Sequence, residues 1–374
     1  MMQESRLFAI LPEEYVCTPD GMDIDKNGDL ILSCPNYADD NMSGCVVRID
    51  KEKNISKWFD VPVHPETGIA RNMGMVFDAD WNMYLCDNQG WSGKPELEWK
   101  GRMLKIIFDE NRNMGMVFDA DWNMYLCDNQ GWSGKPELEW KGRMLKIIFD
   151  ENRNMVDWYT VAHNMEHPNG VKIYKNYLYV TQSYLTKVED PSGKLVSCVY
   201  RFPLDAKDID IKNTLEDEYI LTTFVTHNPN CQYGADGIEI DSQGNLYVGN
   251  FGDGEVWKIR LDENGDMIDK EVYAQNRDEL ISTDGMCMDE KTGNLYIADF
   301  NANAIVMIDK DRNVRRIAQS PDCDGLNGEL DQPGEPIIWE GKIVASCFDL
   351  VTDETKVNTQ HEMPATMAEL DLEP

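Results

Sequence analysis

Residues 236–250 read DGIEIDSQGNLYVGN: an acidic residue, a glycine, alternating apolar residues, a polar turn and a second apolar run. Alternation with a period of two puts one face of each run into a core, which is the pattern of a half-buried strand. The turn between the runs carries residues that tolerate positive φ, so the segment reads as a β-hairpin. The same hairpin recurs as DGMDIDKNGDLILSC from Asp20, NGVKIYKNYLYVTQS from Asn169, DGMCMDEKTGNLYIAD from Asp284 and EPIIWEGKIVASCFD from Glu335. A weaker form, NMGMVFDADWNMYLCD, starts at Asn72 and again at Asn113.

A third apolar run follows most hairpins (CVVRID, RMLKIIFD, VYRFPL, EVWKIRL, AIVMID), and often a fourth (SKWFDV, VDWYTV, RRIAQ). Units of four short strands repeating every 40 to 65 residues or so, with little helical periodicity, are the mark of β-propeller blades. The whole chain, 1–374, therefore reads as one all-β propeller domain. Its last unit has room for three strands, including TMAELDL, and the N-terminal run SRLFAIL is expected to supply the fourth and close the ring. DIDKNGD imitates the start of a calcium-binding EF-hand loop. However, the twelfth position from Asp23 is Cys34 rather than Glu, and the flanks are strands.

Residues 71–111 recur without one change as 112–152. The other repeats have diverged far, so this copying is recent, engineered or an artefact of cloning or sequence assembly. The tripeptide RNM recurs at Arg71, Arg112 and Arg153, as recombination between short direct repeats would leave it. Each copy holds three strands, and VDWYTV follows only the second. Removing one copy leaves six blade starts, so the parent is six-bladed. The present chain is either a seven-bladed ring with one three-stranded blade or a six-bladed ring with one copy displaced. The seven-bladed form is the expectation, because a displaced copy would expose apolar side chains.

The net charge of −33 excludes nucleic acid as a partner and argues against anionic membranes, since both demand basic clusters. No run is long and apolar enough to span a bilayer, and the N-terminus lacks a basic leader with an apolar core, so a cytoplasmic location is expected. The ten cysteines show no zinc-like spacing and read as buried thiols. The chain contains no GxSxG, HExxH or phosphate-cradling glycine loop.

HPNGVKIYKNYLYV, GADGIEIDSQGNLYVGNF, TDGMCMDEKTGNLYIADF and GEPIIWEGKIVASCFD resemble the senescence-marker-protein/gluconolactonase family and its relative diisopropylfluorophosphatase. The likeness runs along nearly the whole chain at the level of blade pattern. It implies a metal at the channel mouth, bound by a Glu, two Asn and an Asp. Glu335 matches the Glu, Asn169 one Asn and Asp236 the Asp; each stands five residues before the end of its inner segment (Glu340, Tyr174, Asp241). In the second copy Asn113 is the candidate for the other Asn, as Asn72 is in the first. Both lie one residue early, the matching positions being Met73 and Met114. The Glu blade comes last here and first in the family, which a closed ring permits.

Oxygen ligands of this kind suit a hard divalent cation, calcium above all, with magnesium, manganese or zinc as alternatives. The implied activity is hydrolysis of a small-molecule sugar lactone or related ester. In it the metal polarises the carbonyl and Asp236 serves as general base, or as a direct nucleophile in some of the family's mechanisms. His167, two residues before Asn169, is a candidate proton shuttle. Asp20, Asn72 and Asp284 are expected to line the channel, where Asp20 and Asp284 either orient substrate hydroxyls or bond neighbouring backbone. The competing readings are a non-enzymatic ligand- or protein-binding propeller of the NHL type and an inactive duplicated paralogue.

Overall fold

Several of the hairpin turns are each built around one aspartate. Oδ1 of Asp241 accepts hydrogen bonds from the backbone N–H of Gln243 (3.0 Å) and Asn245 (2.8 Å). Asp25, Asp262 and Asp309 do the same for the residues two and four places on. Such side-chain caps hold a tight turn in place of backbone partners. Much of the acidity is therefore spent on turns. Gly244, at φ 80°, has no room for a side chain, because a Cβ would lie 2.2 Å from the Tyr174 ring.

The structure is a computed structural model that describes residues 2–61 apart from 26, then 63, 68–77, 83–87, 102–106, 117–118, 124–128, 142–149, 155–349 apart from 167, and 357–373; of residues 73–160 and of Val171 only the backbone is described. Among the described residues there are seven sheets, antiparallel but for one parallel edge strand, and no α-helix, only the 3-10 turns Phe251–Asp253 and Phe300–Ala302. None of the described residues forms a helix long and apolar enough to cross a membrane.

Four sheets are simple four-stranded meanders. Their inner strands are Met22–Ile24, Pro168–Tyr174, Ala235–Ile240 and Met286–Asp289. A fifth runs inward to outward as Pro333–Trp339, Lys342–Cys347, Thr366–Asp371 and Arg6–Ile10. The N-terminal strand thus closes the ring, pairing Arg6 with Glu369 and Ile10 with Thr366. Neighbouring sheets touch through their inner and second strands all the way round, and Met22–Ile24 meets Pro333–Trp339 at the closure.

The two copies form unlike sheets. Asn72–Phe77, Met83–Asp87 and Arg102–Ile106 make a three-stranded sheet. In the second copy, Val117–Phe118, Met124–Asp128 and Gly142–Phe149 gain Met155–Met165, with Ile209–Asp210 added in parallel at the outer edge. The sequence after the second copy supplies an outer strand, which the first copy's sheet lacks among the described residues.

The apolar core lies between the faces of adjacent sheets, as the alternation requires. At the closure Phe8, Leu30, Leu32, Val47, Trp339, Val344 and Met367 pack together. Phe8 meets Trp339 edge-on at 5.5 Å, and the Trp339 Nε1–H donates to the Gly28 carbonyl of the next sheet at 2.8 Å. Phe8→Ala removes a buried ring at the seam. It should lower unfolding stability by about 3–5 kcal/mol in urea titration; a loss under about 1 kcal/mol would show that the N-terminal strand does not hold the ring shut.

Candidate active site

The inner strands begin at one end of the ring, and those of Asn169, Asp236 and Glu335 begin with a break in pairing. Ala235 pairs with Asn250 and Ile238 with Val248, so Asp236 and Gly237 lie in a bulge. Asn169 lies in the same bulge between Pro168 and Val171. The bulge glycines are required by close approach. A Cβ on Gly237 would lie 2.4 Å from the Asp284 carbonyl oxygen, and one on Gly170 would lie 3.0 Å from that of Asp236.

Glu335 sits one place further on than the sequence register implies. Its strand pairs Pro333 with Cys347 and Pro336 with Ala345, so Gly334, not Glu335, takes the position of Asp236. The Gly334 carbonyl accordingly accepts the Gly285 N–H at 3.0 Å. Glu335 stands where the other strands have glycine, with its carboxylate against Gly285. The last paired residue of this strand is Trp339, the counterpart of Tyr174, and Glu340 already belongs to the turn, so a count of five back from Glu340 lands one residue late.

The structure brings Asn169 and Asp236 into contact: the Asn169 Nδ2–H donates to Asp236 Oδ1. Burial raises the Asp236 carboxyl well above its usual range, and the neighbouring charges of Asp284 and Glu335 add to the shift. Glu335 is pushed up to about 8 by burial, with Lys172 pulling it down and Asp284, Asp20 and Glu239 pushing it up. Burial carries Asp20 to about 6 against a hydrogen bond from the Gly21 backbone. Asp20, Asp236, Asp284 and Glu335 therefore crowd negative charge around one axis. Yet no three of these carboxylates bring ligand oxygens within 4.8 Å of one another.

Asn72 lies elsewhere. It is fully buried between sheets, and its amide donates to Ser33 Oγ (2.8 Å) and the Cys45 carbonyl (2.9 Å), so it does not line the channel. Gly44 makes room for it; a Cβ there would overlap Asn72 Oδ1. His167 and Asn113 lie outside the described residues.

Two features of the site escaped the sequence reading. One is a second layer, three residues after each bulge acid or amide: Lys172, Glu239 and Cys287. Lys172 Nζ sits 2.9 Å from Glu239. Burial lowers the Lys172 ammonium, but Glu239 and Glu335 outweigh it and leave it raised. Cys287 is pushed up by burial and by the charges of Glu335 and Glu239. The signal was present in the repeat, since polar residues occupy a position that alternation turns to the same face as the bulge. Lys172→Met would strand Glu239 and should cost about 1–3 kcal/mol in denaturant unfolding, between a surface and a buried pair. An unchanged midpoint would mean that the pair contributes nothing.

The other feature is an arc of rings at the ends of the second strands, joined by Tyr233 from the loop before Ala235–Ile240. Tyr184, Tyr233, Phe251, Phe300 and Phe348 follow one another at centroid distances of 5.6, 5.3, 6.2 and 6.1 Å. They come from sheets that also carry Asn169, Asp236, Asp284 and Glu335. Burial raises the Tyr233 hydroxyl, and the Asp236 charge raises it further. An apolar collar beside an acidic floor strengthens electrostatic interactions within it.

No family model matches the chain, and no curated protein matches it. Solved structures do. Virginiamycin B lyase from Staphylococcus aureus aligns over 100% of this chain and 99% of its own at 10% identity, TM-score 0.57. A streptogramin B lyase covers 99% and 97% at 11% identity, TM-score 0.58. Luciferin-regenerating enzyme covers 98% and 94% at 10% identity, TM-score 0.51. Likeness at this identity speaks for architecture, and the chain is a β-propeller built on the same plan as these enzymes.

Proposed function

We propose that this chain is a metal-dependent hydrolase of sugar lactones or related esters, acting at the axial end where the inner strands begin. The observation that carries the reading is the convergence of Asn169, Asp236, Asp284, Glu335 and Asp20 from five separate inner strands on one acidic axis. Their donors are oxygens, which suits calcium, or alternatively magnesium, manganese or zinc. Carboxyls that raise one another's pKa form a set that a cation would stabilise in the ionised state. Glu335, Asp236 and the Asn169 amide are the residues that would hold the ion. Asn169 spends its NH2 end on Asp236, which leaves Oδ1 as the end that ligates.

A bound cation supplies Lewis-acid polarisation of the carbonyl. The remaining work falls to the chain. Asp236 is the general base that takes the proton of the attacking water. Asn169 fixes the Asp236 carboxylate in one orientation. Asp20 and Asp284 accept from substrate hydroxyls, and the aromatic arc packs the C–H face of the sugar ring while excluding water. His167 remains the candidate shuttle for the leaving alkoxide.

The test is pH-stat hydrolysis of a panel of aldonolactones by chain stripped with EDTA, before and after calcium, magnesium, manganese or zinc is restored. The reading predicts turnover only in the restored samples. Absence of turnover with every metal would remove the hydrolase and leave a binding propeller.

A further inference from the structure

A second acidic group lies outside the axial site, on loops of the closing sheet. Asp331 precedes the inner strand Pro333–Trp339, Asp349 follows the second strand, and Glu362 precedes Thr366–Asp371. Pro333 pairs with Cys347 and Ser346 with Met367, so the three loops share one end of the sheet. One ligand oxygen from each residue lies within 4.8 Å of the others.

Two of the three residues are deeply buried, Asp349 at 1% exposure and Asp331 at 3%. Asp349 is held firmly. Its Oδ1 accepts from Asn358 Nδ2 at 2.9 Å; its Oδ2 accepts the Glu362 N–H at 2.8 Å and faces His361 Nδ1 at 3.0 Å. Asp331 is not held: its Oδ1 is buried with no hydrogen-bond partner, and the buried Oε2 of Glu362 has none either. Native proteins seldom leave buried carboxylate oxygens without a donor. Burial drives the Asp331 carboxyl up to about 9, and Asp349, Glu362, Asp322 and Asp324 add to the push.

We propose that Asp331, Asp349 and Glu362 form a second divalent-cation site, of the all-oxygen kind that takes calcium. Asp331 and Glu362 each carry a partnerless buried oxygen and each bring a carboxylate oxygen within 4.8 Å of one on the firmly bonded Asp349, which is an arrangement a hard cation completes. The nearby Cys347 sulfur is engaged with the Asp331 N–H at 3.5 Å, so a thiophilic metal is not favoured. The bound ion ties together the three loops at the end of the sheet where Glu335 begins its approach to the axis. The proposal stands whether or not the chain is a hydrolase.

The experiment is equilibrium dialysis of the full, chelator-stripped chain against radioactive calcium, with thermal unfolding alongside. Glu335→Gln removes a proposed axial ligand and should leave one equivalent of calcium bound. Adding Glu362→Gln to that chain should abolish the remaining equivalent and the calcium-dependent rise in unfolding midpoint. Asp331→Asn in the same background provides an independent check; it should unfold no lower than its parent without calcium and gain nothing from calcium. If both double variants keep the parent's equivalent, or if Glu335→Gln alone binds no calcium, the cluster is a group of carboxyls sharing protons and the proposal is overturned.

Discussion

Asp236→Asn should lower lactone turnover by about 10²- to 10⁴-fold while leaving the ring folded, because it removes the proton acceptor but keeps the shape. The side chain is buried among protein groups and bonded to Asn169, so the amide fits the same space. Circular dichroism and the urea midpoint should stay close to the parent, or rise, since a carboxyl crowded by Asp284 and Glu335 is replaced by a neutral group. Loss of turnover at constant fold assigns the chemistry to Asp236. Turnover within about threefold of the parent would take it out of the mechanism, given the range expected for a general base. Calcium bound by the variant separates the two roles: a ligand change appears as weaker binding, a base change as slower hydrolysis by the loaded protein.

The second large effect concerns residues 112–152. A chain lacking them should fold with one sheet of four antiparallel strands, Ile209–Asp210 still at its edge, where the structure has a three-stranded and a five-stranded one. The strand Arg102–Ile106, which ends its sheet without an outer neighbour among the described residues, would gain the partner that follows the second copy. One sheet fewer also narrows the ring and draws the axial side chains together. Misplacement by about 1 Å costs up to about 10²-fold in rate, so a gain of that order in turnover is expected. The thermal midpoint should rise as well, at about 2–4 °C per kcal/mol for chains of ~150–250 residues. A lower midpoint together with lower turnover would mean that the additional sheet is an integral part of the working fold.

The hairpins were legible because their code is local. Asp241, Gly244 and the alternating residues on either side specify a turn and two strands without reference to anything distant. Ring closure was legible for a similar reason: SRLFAIL alternates as a strand, and the last unit lacked one. The positions of Asp236 and Asn169 followed from the repeat. What the sequence did not reveal depends on exchange between neighbours. Glu335 is displaced because its strand ends at Trp339 and not at Glu340, which only the pairing of Trp339 with Lys342 reveals. Asn72 carries the residue type of a ligand, but Gly44 in the adjacent sheet opens a slot that takes the side chain sideways. The Lys172–Glu239 pair and the aromatic arc arise only when separate sheets are set side by side. Asp331, Asp349 and Glu362 carry no motif because they come from three loops that fold together only once the strands are paired.

The most direct test of the axial claim is a crystal structure of the chain grown with calcium and with manganese, read by the anomalous signal. The account predicts an ion on the axis with oxygens of Glu335, Asp236 and Asn169 at about 2.3–2.6 Å in the calcium crystal. An axis without an ion, with those three side chains too far apart to share one, would contradict it even if a cation occupied the Asp331 cluster.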